Sequence, residues 1–464
     1  MEALISASER VIAHKHGGES LRALCAEIEA ALSVVGGTAV AQEDLDPIEA
    51  AAISLWNESV AIRGSDLETV VRLRGTALMM LHMVANQVAG SSSSAQVCAR
   101  ILTIAVATGR AYHEFGETDN ADMAFELAAK YAQDETEEPH YSNDKVAKES
   151  AMLLNYRAEI LWRKNQSNVA FHLMNRACNT RFIEKLTIRE IEVIAETCKN
   201  LAAISEKKTD SVQWLKICLN LLLGLIPTPK TEARKTQILL LLASEYYQLD
   251  SLDIADTIVT QLLNETEGLI ALSAFLIKFK ILDKRQVQDP ESYSAACKLL
   301  QERVVLVNAK EEAINLLFTI LHLIAPHSTP DALKLADWLL AQNESIPEKA
   351  SLFERVFLVK IHLLASPTSK IVKEEALESV KAVIRTIGVA GNVSSNGSSC
   401  AQMIVWRSGI NAMNEHRYQD AIDWLNVALK LVTGAANDDR NSASIQLKLA
   451  LACGAFVLNS LYWN

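Results

Sequence analysis

The feature of this sequence that most constrains its fold is a spacing of small and aromatic residues that occurs twice. Residues 109–131 read GRAYHEFGETDNADMAFELAAKY, and residues 400–431 carry the second copy. The first copy consists of Gly109, Tyr112, Gly116, Ala121, Phe125 and Ala128, and the second of Gly409, Ala412, Tyr418, Ala421, Leu425, Ala428 and Leu429. A helix needs a small residue where a second helix crosses it, and the second helix needs alanine at its closest approaches. The spacing therefore predicts pairs of antiparallel helices.

This spacing is typical of tetratricopeptide (TPR) repeats, in which hairpins of helix A and helix B follow one another. Weaker copies place Ala158, Leu161, Ala170, Met174 and Ala177, and then Ala243, Tyr246, Ala255, Val259 and Leu262, in the same register. Two further B helices are predicted around Ser211, Leu215 and Cys218 and at residues 331–340. The anchors at 121, 170, 211 and 255 are 49, 41 and 44 residues apart, longer than the ~34 residues of a standard repeat. We predict an all-α, right-handed α-solenoid of degenerate TPR-like hairpins with essentially no strand.

Composition agrees with a long helical array. The 464 residues include only 17 glycines and 9 prolines, so long stretches lack a helix breaker. The loop-like segment GVAGNVSSNGSS precedes Cys400. We predict a helical segment at 1–46, a TPR-like solenoid at 47–390, a flexible linker at 391–399 and a C-terminal TPR-like repeat, truncated, at 400–464.

The sequence contains no pattern for export or membrane insertion. Its first residues, MEALISASERVIAHKH, lack the long apolar core of a secretory signal. The most apolar stretches, ICLNLLLGLI and ILLLLA, are too short for a bilayer span. We expect neither export nor membrane association.

The sequence also carries no motif for catalysis or cofactor binding. The eight cysteines are scattered without a CxxC pair, and Cys178, Cys198 and Cys218 are equally spaced but need not meet. His14 and His16 lie near no sequence cluster of acidic or cysteine ligands. Glycine-rich phosphate loops, HExxH and GxSxG are all absent. We expect no metal, no cofactor, no small-molecule substrate and no enzymatic activity, although an unrecognised site in the superhelix is the alternative.

Four blocks in sequence order carry a more specific resemblance. They are AFHLMNRA at 170–177, SVQWLKICLNLLL at 211–223, the hairpin ending IADTIVTQLLNE, and above all IVWRSGINAMNEHRYQDAIDWLNVALKL from Ile404. The chain resembles the Zip-four/Spo-twenty-two family of meiotic TPR-like proteins from about Leu45 to its end. The resemblance implies a non-enzymatic scaffold on meiotic chromosomes in the nucleus. It also implies a role in crossover formation and synaptonemal complex assembly, and partners among recombination, synaptonemal complex or chromosome-axis proteins.

The helix-A surface left over once the hairpin core is assigned is the candidate binding surface. It mixes aromatic, apolar and charged residues, as protein interfaces do. We predict that Arg110, His113, Asn155, Glu159, Trp162, Arg163 and Tyr247, and separately Trp406, Ile410 and Met413, bind a helix or extended segment of a partner. The alternative is that these residues pack against a neighbouring repeat.

Two other functions remain as alternatives. A general TPR adaptor unrelated to meiosis fits the same fold. A chaperone-type carboxylate clamp is disfavoured, because Glu159 is negatively charged and would repel the carboxylate that the clamp has to bind. Direct DNA contact would use Lys278, Lys280, Lys284 and Arg285, and a net charge of −11 argues against it. We expect any chromatin association to be indirect.

Overall fold

A computed structural model describes residues 2–13, 21–35, 42–62, 66–88, 94–132, 144–285, 290–304, 311–341, 350–365, 376–382, 395–433, 444–453 and 455. These residues form helices and their turns, and they contain no strand. Contacts divide the chain into unit 1, Met1–Lys235, and unit 2, Thr236–Asn464. Each unit is described by itself.

Both units are built from helices that follow one another along the chain. In unit 1 they are α1 (Glu2–Ala13), α2 (Leu21–Val35), α3 (Gln42–Ala61), α4 (Leu67–Val88), α5 (Ser94–Phe115), α6 (Thr118–Tyr131), α7 (Asp144–Arg163), α8 (Ser167–Ala177), α9 (Thr180–Ile183), α10 (Ile188–Ile204) and α11 (Lys208–Leu223). The boundary between the units falls within α12 (Pro229–Gln248). Unit 2 continues with α13 (Leu252–Glu265), α14 (Gly268–Lys284), α15 (Pro290–Arg303), α16 (Glu311–Ile324), α17 (Thr329–Ala341), α18 (Ala350–Ala365), α19 (376–382), α20 (Ser395–Asn414), α21 (Tyr418–Thr433) and α22 (444–453).

Successive helices pack as antiparallel hairpins, and the first helix of each, helix A, also packs on the helix A of a neighbouring hairpin. In unit 1 the hairpins include α3–α4, α5–α6, α7–α8 and α10–α11, and α7 lies against both α5 and α10. In unit 2, α14 packs on α16 and α18 packs on α20, while α20 and α21 form a hairpin. The predicted all-α class of TPR-like hairpins is therefore confirmed.

The tight A-to-B turns share one backbone conformation. A residue with positive φ follows helix A in four hairpins: Gly116 (93°), Asn165 (61°), Asp250 (62°) and His416 (59°). The next residue donates its N–H to a carbonyl five positions back, as in Glu117 to Tyr112 at 3.0 Å and Arg417 to Ala412 at 2.8 Å. This is the Schellman arrangement, which satisfies the last carbonyls of a helix. It sets the direction in which helix B leaves helix A.

The small residues of the repeat lie where the two helices of a hairpin meet. Five positions after each positive-φ residue comes the helix-B alanine, and Ala121, Ala170, Ala255 and Ala421 are all fully buried. A Cβ atom at Gly109 would lie 2.5 Å from Cε1 of Phe125, and one at Gly409 would lie 2.8 Å from Cγ of Leu425. The burial of these alanines confirms the predicted register, including the copies at Ala170 and Ala255. In the weaker copy on α11, Ser211, Leu215 and Cys218 are also buried.

Two predicted domain boundaries differ from the helix boundaries. The segment 1–46 was predicted to be separate, but α3 runs through position 46, and Ala7, Val11 and Ile28 share one core with Leu45. Within the predicted linker at 391–399, α20 already begins at Ser395. The small residues there have the composition of a loop, yet Gly397 is buried inside the helix, next to the carboxyl end of the Glu354 side chain.

The packing register can be tested with a pair of substitutions on α6. Ala121→Glu should lower the free energy of unfolding by roughly 3 kcal/mol or more, because it overpacks the helix crossing and buries an unpaired charge. Met123→Glu should change it little, since Met123 is 62% exposed. Chemical denaturation followed by circular dichroism measures both, and equal stability of the two variants would contradict the register.

The turn conformation gives a second prediction. Asn165→Val should destabilise the α7–α8 hairpin by about 1–2 kcal/mol, because a β-branched residue is strained at positive φ. Asn165→Gly should be close to neutral, since glycine adopts this conformation without strain. Thermal melting of both variants checks this, and a tolerated valine would mean that the turn has a different backbone conformation in solution.

Candidate protein-binding surface

The A-helix face of unit 1 is the surface formed by α5, α7 and α10 outside the hairpin cores. These three helices pack side by side, α5 on α7 and α7 on α10, with α6, α8 and α11 paired to them as B helices. Of the predicted binding residues, Arg110 and His113 lie on α5, and Asn155, Glu159, Trp162 and Arg163 lie on α7. The structure thus brings the two groups onto neighbouring helices.

An ion-pair network joins α5 to α7 on this face. The Nε2 atom of His113 lies 3.2 Å from Oε1 of Glu159, and Arg163 donates a 2.8 Å hydrogen bond to the same oxygen. Burial alone would raise the pKa of Glu159, but the hydrogen bond from His113 and the charges of His113 and Arg163 lower it overall. On α5, Arg110 pairs with Glu114 at 2.7 Å. Both arginines remain exposed, so a partner can reach them.

Tyr156 lies among these charges, and no motif in the sequence marks it. Its ring stacks on Phe125 of α6, with centroids 5.6 Å apart and planes at 8°. Burial raises the pKa of Tyr156, opposed by Arg110 and supported by Glu114, Glu159 and another carboxylate. The signal for it was its position three residues before Glu159, on the same helical stripe.

Asn155 differs from the other predicted residues because its side chain is fully buried. Its amide donates a 3.4 Å hydrogen bond to Oγ1 of Thr197 on α10. The carbonyl oxygen of the same side chain is buried and has no hydrogen-bond partner among the described residues. Asn155 therefore links two A helices, and its direct contact with a partner stays a prediction.

Trp162 lies on the side of α7 that faces the hairpin core. Its ring makes edge contacts with Phe171 of α8 and Trp214 of α11, both at 5.3 Å between centroids, and Phe171 and Trp214 are stacked at 4.2 Å. Trp214 is fully buried, whereas Trp162 is half-buried. The packing alternative thus accounts for most of the Trp162 surface, and its role in binding stays a prediction.

A cleft of about 300 Å³ lies further along the same face, between α3, α5 and α7. It is lined by Ile53, Trp56, Arg100, Thr103, Ile104 and Lys145. Arg100 forms an ion pair with Glu49, and the guanidinium of Arg74 lies 5.0 Å from the Trp56 ring centroid. No motif in the sequence marked this cleft, because its residues come from three helices with no common spacing.

The remaining predicted residues belong to unit 2. The Tyr247 ring centroid lies 4.9 Å from the ammonium of Lys284, which also pairs with Asp250 at 2.8 Å. On α20, Ile410 is half-buried, and Trp406 and Met413 pack against the unit 2 core. The indole N–H of Trp406 is buried and has no acceptor among the described residues. Partner binding by these four residues stays a prediction.

The basic residues considered for DNA contact are mostly held by carboxylates of α13 and of the turn before it. Lys278 pairs with Asp256 at 2.7 Å, and Arg285 contacts Asp253 at 2.5 Å and Asp256 at 3.3 Å. Lys284 is held by Asp250. Three of the four cations are therefore neutralised within the protein.

The three equally spaced cysteines lie close enough to affect one another's ionisation. Burial is the main cause that raises the pKa of each thiol, to about 12 for Cys178 and Cys218, and the neighbouring cysteines add to it for Cys198. Cys218 donates its S–H to the carbonyl of Ala195 at 3.2 Å. Such thiols are unreactive at neutral pH.

Metal ligation and membrane insertion find no support in the part of the chain that the structure describes. No group of three or more His, Cys, Asp or Glu side chains there is arranged to hold a metal ion. None of the described helices is both long and apolar enough to cross a bilayer. His14 and His16 lie outside the described residues.

The family is decided by a match over residues 160–430 to the model described as "Meiosis protein SPO22/ZIP4 like". This range covers more than half of the chain. The chain belongs to the SPO22/ZIP4-like family of meiosis proteins. The matched range begins directly after Glu159 in α7 and ends within α21, so it contains nearly all of the four blocks that carried the resemblance. No curated protein matches the chain in sequence.

Several solved structures also match at low similarity. They include the C-terminal part of a TPR repeat-containing protein from Cytophaga hutchinsonii, with 11% identity, 71% of this chain and 98% of that chain covered, and a TM-score of 0.30. Yeast Tom70 is 11% identical, with 99% of this chain and 96% of that chain covered, and has a TM-score of 0.26. The TPR domain of P58(IPK) is 11% identical, with 99% of this chain and 98% of that chain covered, and has a TM-score of 0.19.

Glu149, on the same face of α7, gives a pH-dependent prediction. Burial raises its pKa to about 7, with Glu190 adding to the shift and Lys145 and Lys148 opposing it. Because the folded pKa lies above the unfolded value near 4.3, ionising Glu149 costs stability as the pH rises through this window. Glu149→Gln should be more stable than the wild type by roughly 2 kcal/mol at about pH 8 and equally stable at about pH 4.

The measurement is chemical denaturation at both pH values. Glu126→Gln is the matched control for the removal of one carboxylate, since Glu126 is exposed on helix B. A constant effect of Glu149→Gln across the range would contradict the burial of this carboxyl group.

Proposed function

We propose that this protein is a non-enzymatic interaction scaffold of meiotic recombination, which promotes crossover formation and assembly of the synaptonemal complex. The observation that carries the proposal is the SPO22/ZIP4-like match over residues 160–430. The protein acts in the nucleus on meiotic chromosomes, and its partners are recombination, synaptonemal complex or chromosome-axis proteins. Its association with chromatin is indirect.

The A-helix face of unit 1 supports binding as the mode of action. Arg110 and Arg163 are exposed at the ends of a partly buried network, and the cleft beside Trp56 supplies aromatic surface between charges. Interfaces use such mixtures of arginine and aromatic residues as binding anchors. A helix or extended segment of a partner lies along this face in the proposal.

Binding rather than catalysis is also supported by how the charges are used. His113, Glu159 and Arg163 are engaged with one another, which orients them but places none of them beside an activated nucleophile. The cysteines near α11 have raised pKa values and remain protonated at neutral pH.

The proposal is tested by charge reversal on the A-helix face. The double variant Arg110→Glu and Arg163→Glu should reduce co-precipitation of recombination and axis proteins from meiotic cells several-fold, because both positions contribute exposed guanidinium groups. Lys130→Glu is the matched control, since Lys130 is exposed on helix B of the α5–α6 hairpin. It should retain every partner.

Folding is checked by circular dichroism and melting temperature before any binding result is interpreted. Trp162→Ala is a poor probe by comparison, because it removes ring contacts with Phe171 and Trp214. Retention of all partners by the folded double variant would place their binding outside this face. Normal crossover numbers in meiotic cells from which this gene alone has been deleted would contradict the meiotic role itself.

A further inference from the structure

A second surface, in unit 2, has an uncompensated positive charge. The Arg355 cluster consists of Asn315, Phe318 and His322 on α16 and Arg355 and His362 on α18. Both helices are A helices. Asn315, Phe318 and His322 lie on one stripe of α16, outside the core positions Leu317, Ile320 and Leu321. The side chains of Asn315, His322, Arg355 and His362 are exposed, and that of Phe318 is half-buried.

Arg355 joins the two helices at the centre of the cluster. Its guanidinium lies 4.3 Å from the Phe318 ring centroid and donates a 3.1 Å hydrogen bond to Oδ1 of Asn315. The ring of His322 meets Phe318 edge-on at 4.6 Å. Among the described residues no carboxylate lies within ion-pair distance of Arg355. The guanidinium is therefore held in place by an aromatic face and an amide while several of its donors face solvent.

Two neighbouring groups, His362 and Arg355, act on the pKa of His322. Partial desolvation lowers the pKa of His322, and His362 and Arg355 lower it further. A negative group at the cluster would be attracted by Arg355 and would favour the protonated form of His322.

No described charged group on the surrounding helices is paired with Arg355. Glu312 is exposed on the same stripe of α16, about one turn before Asn315 and ten residues, roughly 15 Å, before His322, and it lies outside ion-pair distance of Arg355. Glu354 of α18 points toward Gly397 of α20, and Lys360 of α18 is paired with Asp337 of α17. Further charged groups on adjoining helices are Lys278, Lys280, Asp283 and Lys284 on α14, Asp331 and Lys334 on α17, and Arg407 on α20. Asp283 is hydrogen-bonded to His327, and Asp331 accepts a hydrogen bond from Ser328 and lies near Lys334.

Many other cations of unit 2 are paired. Lys278, Lys284, Arg285, Lys360, Lys381 and Arg417 each have a carboxylate partner within the unit. A protein with a net charge of −11 has carboxylates in excess, yet none of the described ones is placed on Arg355. The arrangement fits a surface that keeps its positive charge for a ligand.

We propose that the Arg355 cluster binds an acidic segment of a protein partner. Carboxylates of the segment pair with the guanidinium of Arg355 and the imidazoliums of His322 and His362, and an apolar side chain of the segment rests on Phe318. This site is separate from the A-helix face of unit 1, and it goes beyond the proposed meiotic scaffold because it specifies the chemistry of one ligand.

A peptide fits better than nucleic acid. The cluster has one permanent positive charge, whereas binding of nucleic acid without sequence preference depends on a track of cations along many phosphates. Lys278, Lys284 and Arg285, on α14 and its exit, are occupied by aspartates. An aromatic ring beside one arginine instead resembles the charged and aromatic anchors of peptide interfaces.

The test uses the full chain and a phage-displayed library of random peptides. Peptides selected by the wild type are screened again on Arg355→Glu and on the matched control Lys298→Glu, whose lysine is exposed on the B helix α15. Circular dichroism and melting temperature establish that both variants are folded, with Arg355→Gln as the milder substitute if the reversal unfolds the protein. Affinities of the selected peptides are then measured by fluorescence anisotropy.

We expect the peptides that depend on Arg355 to be rich in aspartate and glutamate and to retain binding to Lys298→Glu. Their affinity should fall roughly tenfold or more in Arg355→Glu, because a close charge pair becomes a like-charge pair. Binding should strengthen from about pH 8 to about pH 6, and the double variant His322→Gln and His362→Gln should lose this increase.

Three results would overturn the proposal. They are the absence of any Arg355-dependent peptide, dependent peptides that are neutral or basic, and labelled duplex DNA that binds through Arg355 more tightly than the selected peptides do. Because partner recovery through Arg110 and Arg163 is measured separately, a failure at the Arg355 cluster leaves the proposed scaffold function untouched. A failure at the A-helix face of unit 1 likewise leaves the Arg355 cluster untouched.

Discussion

The close approach of two helix backbones within each hairpin is the constraint on which the rest of this structure depends. Gly109 and Gly409 leave no room for a Cβ beside the helix-B side chains Phe125 and Leu425. The positive-φ residue that follows helix A then turns the chain so that a buried alanine meets helix A again five positions later. Once crossing and turn are fixed, only one side of helix A can be in the core. The opposite side becomes the face available for partners.

The hairpin register could be predicted from sequence because it depends on residue size at fixed spacing, which one chain displays directly. The turn residues were only partly predictable, since Asn165, Asp250 and His416 replace the glycine that is the usual signal for positive φ. The spacing to the following alanine identifies them in hindsight. Gly397 is the opposite case, because its segment has the composition of a loop but lies inside α20. The side of helix A on which Trp162 lies also could not be predicted, since it depends on Trp214 from the next hairpin.

The charged side chains on the A helices have different kinds of partner in the two units. In unit 1, Glu159 is held between His113 and Arg163, so the face is neutralised internally and presents exposed arginines at its edges. In unit 2, Arg355 is held by a ring and an amide, which fix its position without neutralising it. An internally paired network favours orientation and specificity, whereas a cation without a carboxylate partner supplies long-range attraction. The two faces therefore suit ligands of different charge.

In two hairpins of unit 1, helix A is longer than the helix B that packs on it. α5 has 22 residues against 14 in α6, and α7 has 20 against 11 in α8. At 1.5 Å per residue, helix A extends roughly 12 Å beyond its partner. The added turns lie at the start of helix A, where Arg100 and Lys145 line the cleft with Trp56 of α3. These added turns enlarge the A-helix surface outside the hairpin core, because no B helix covers them.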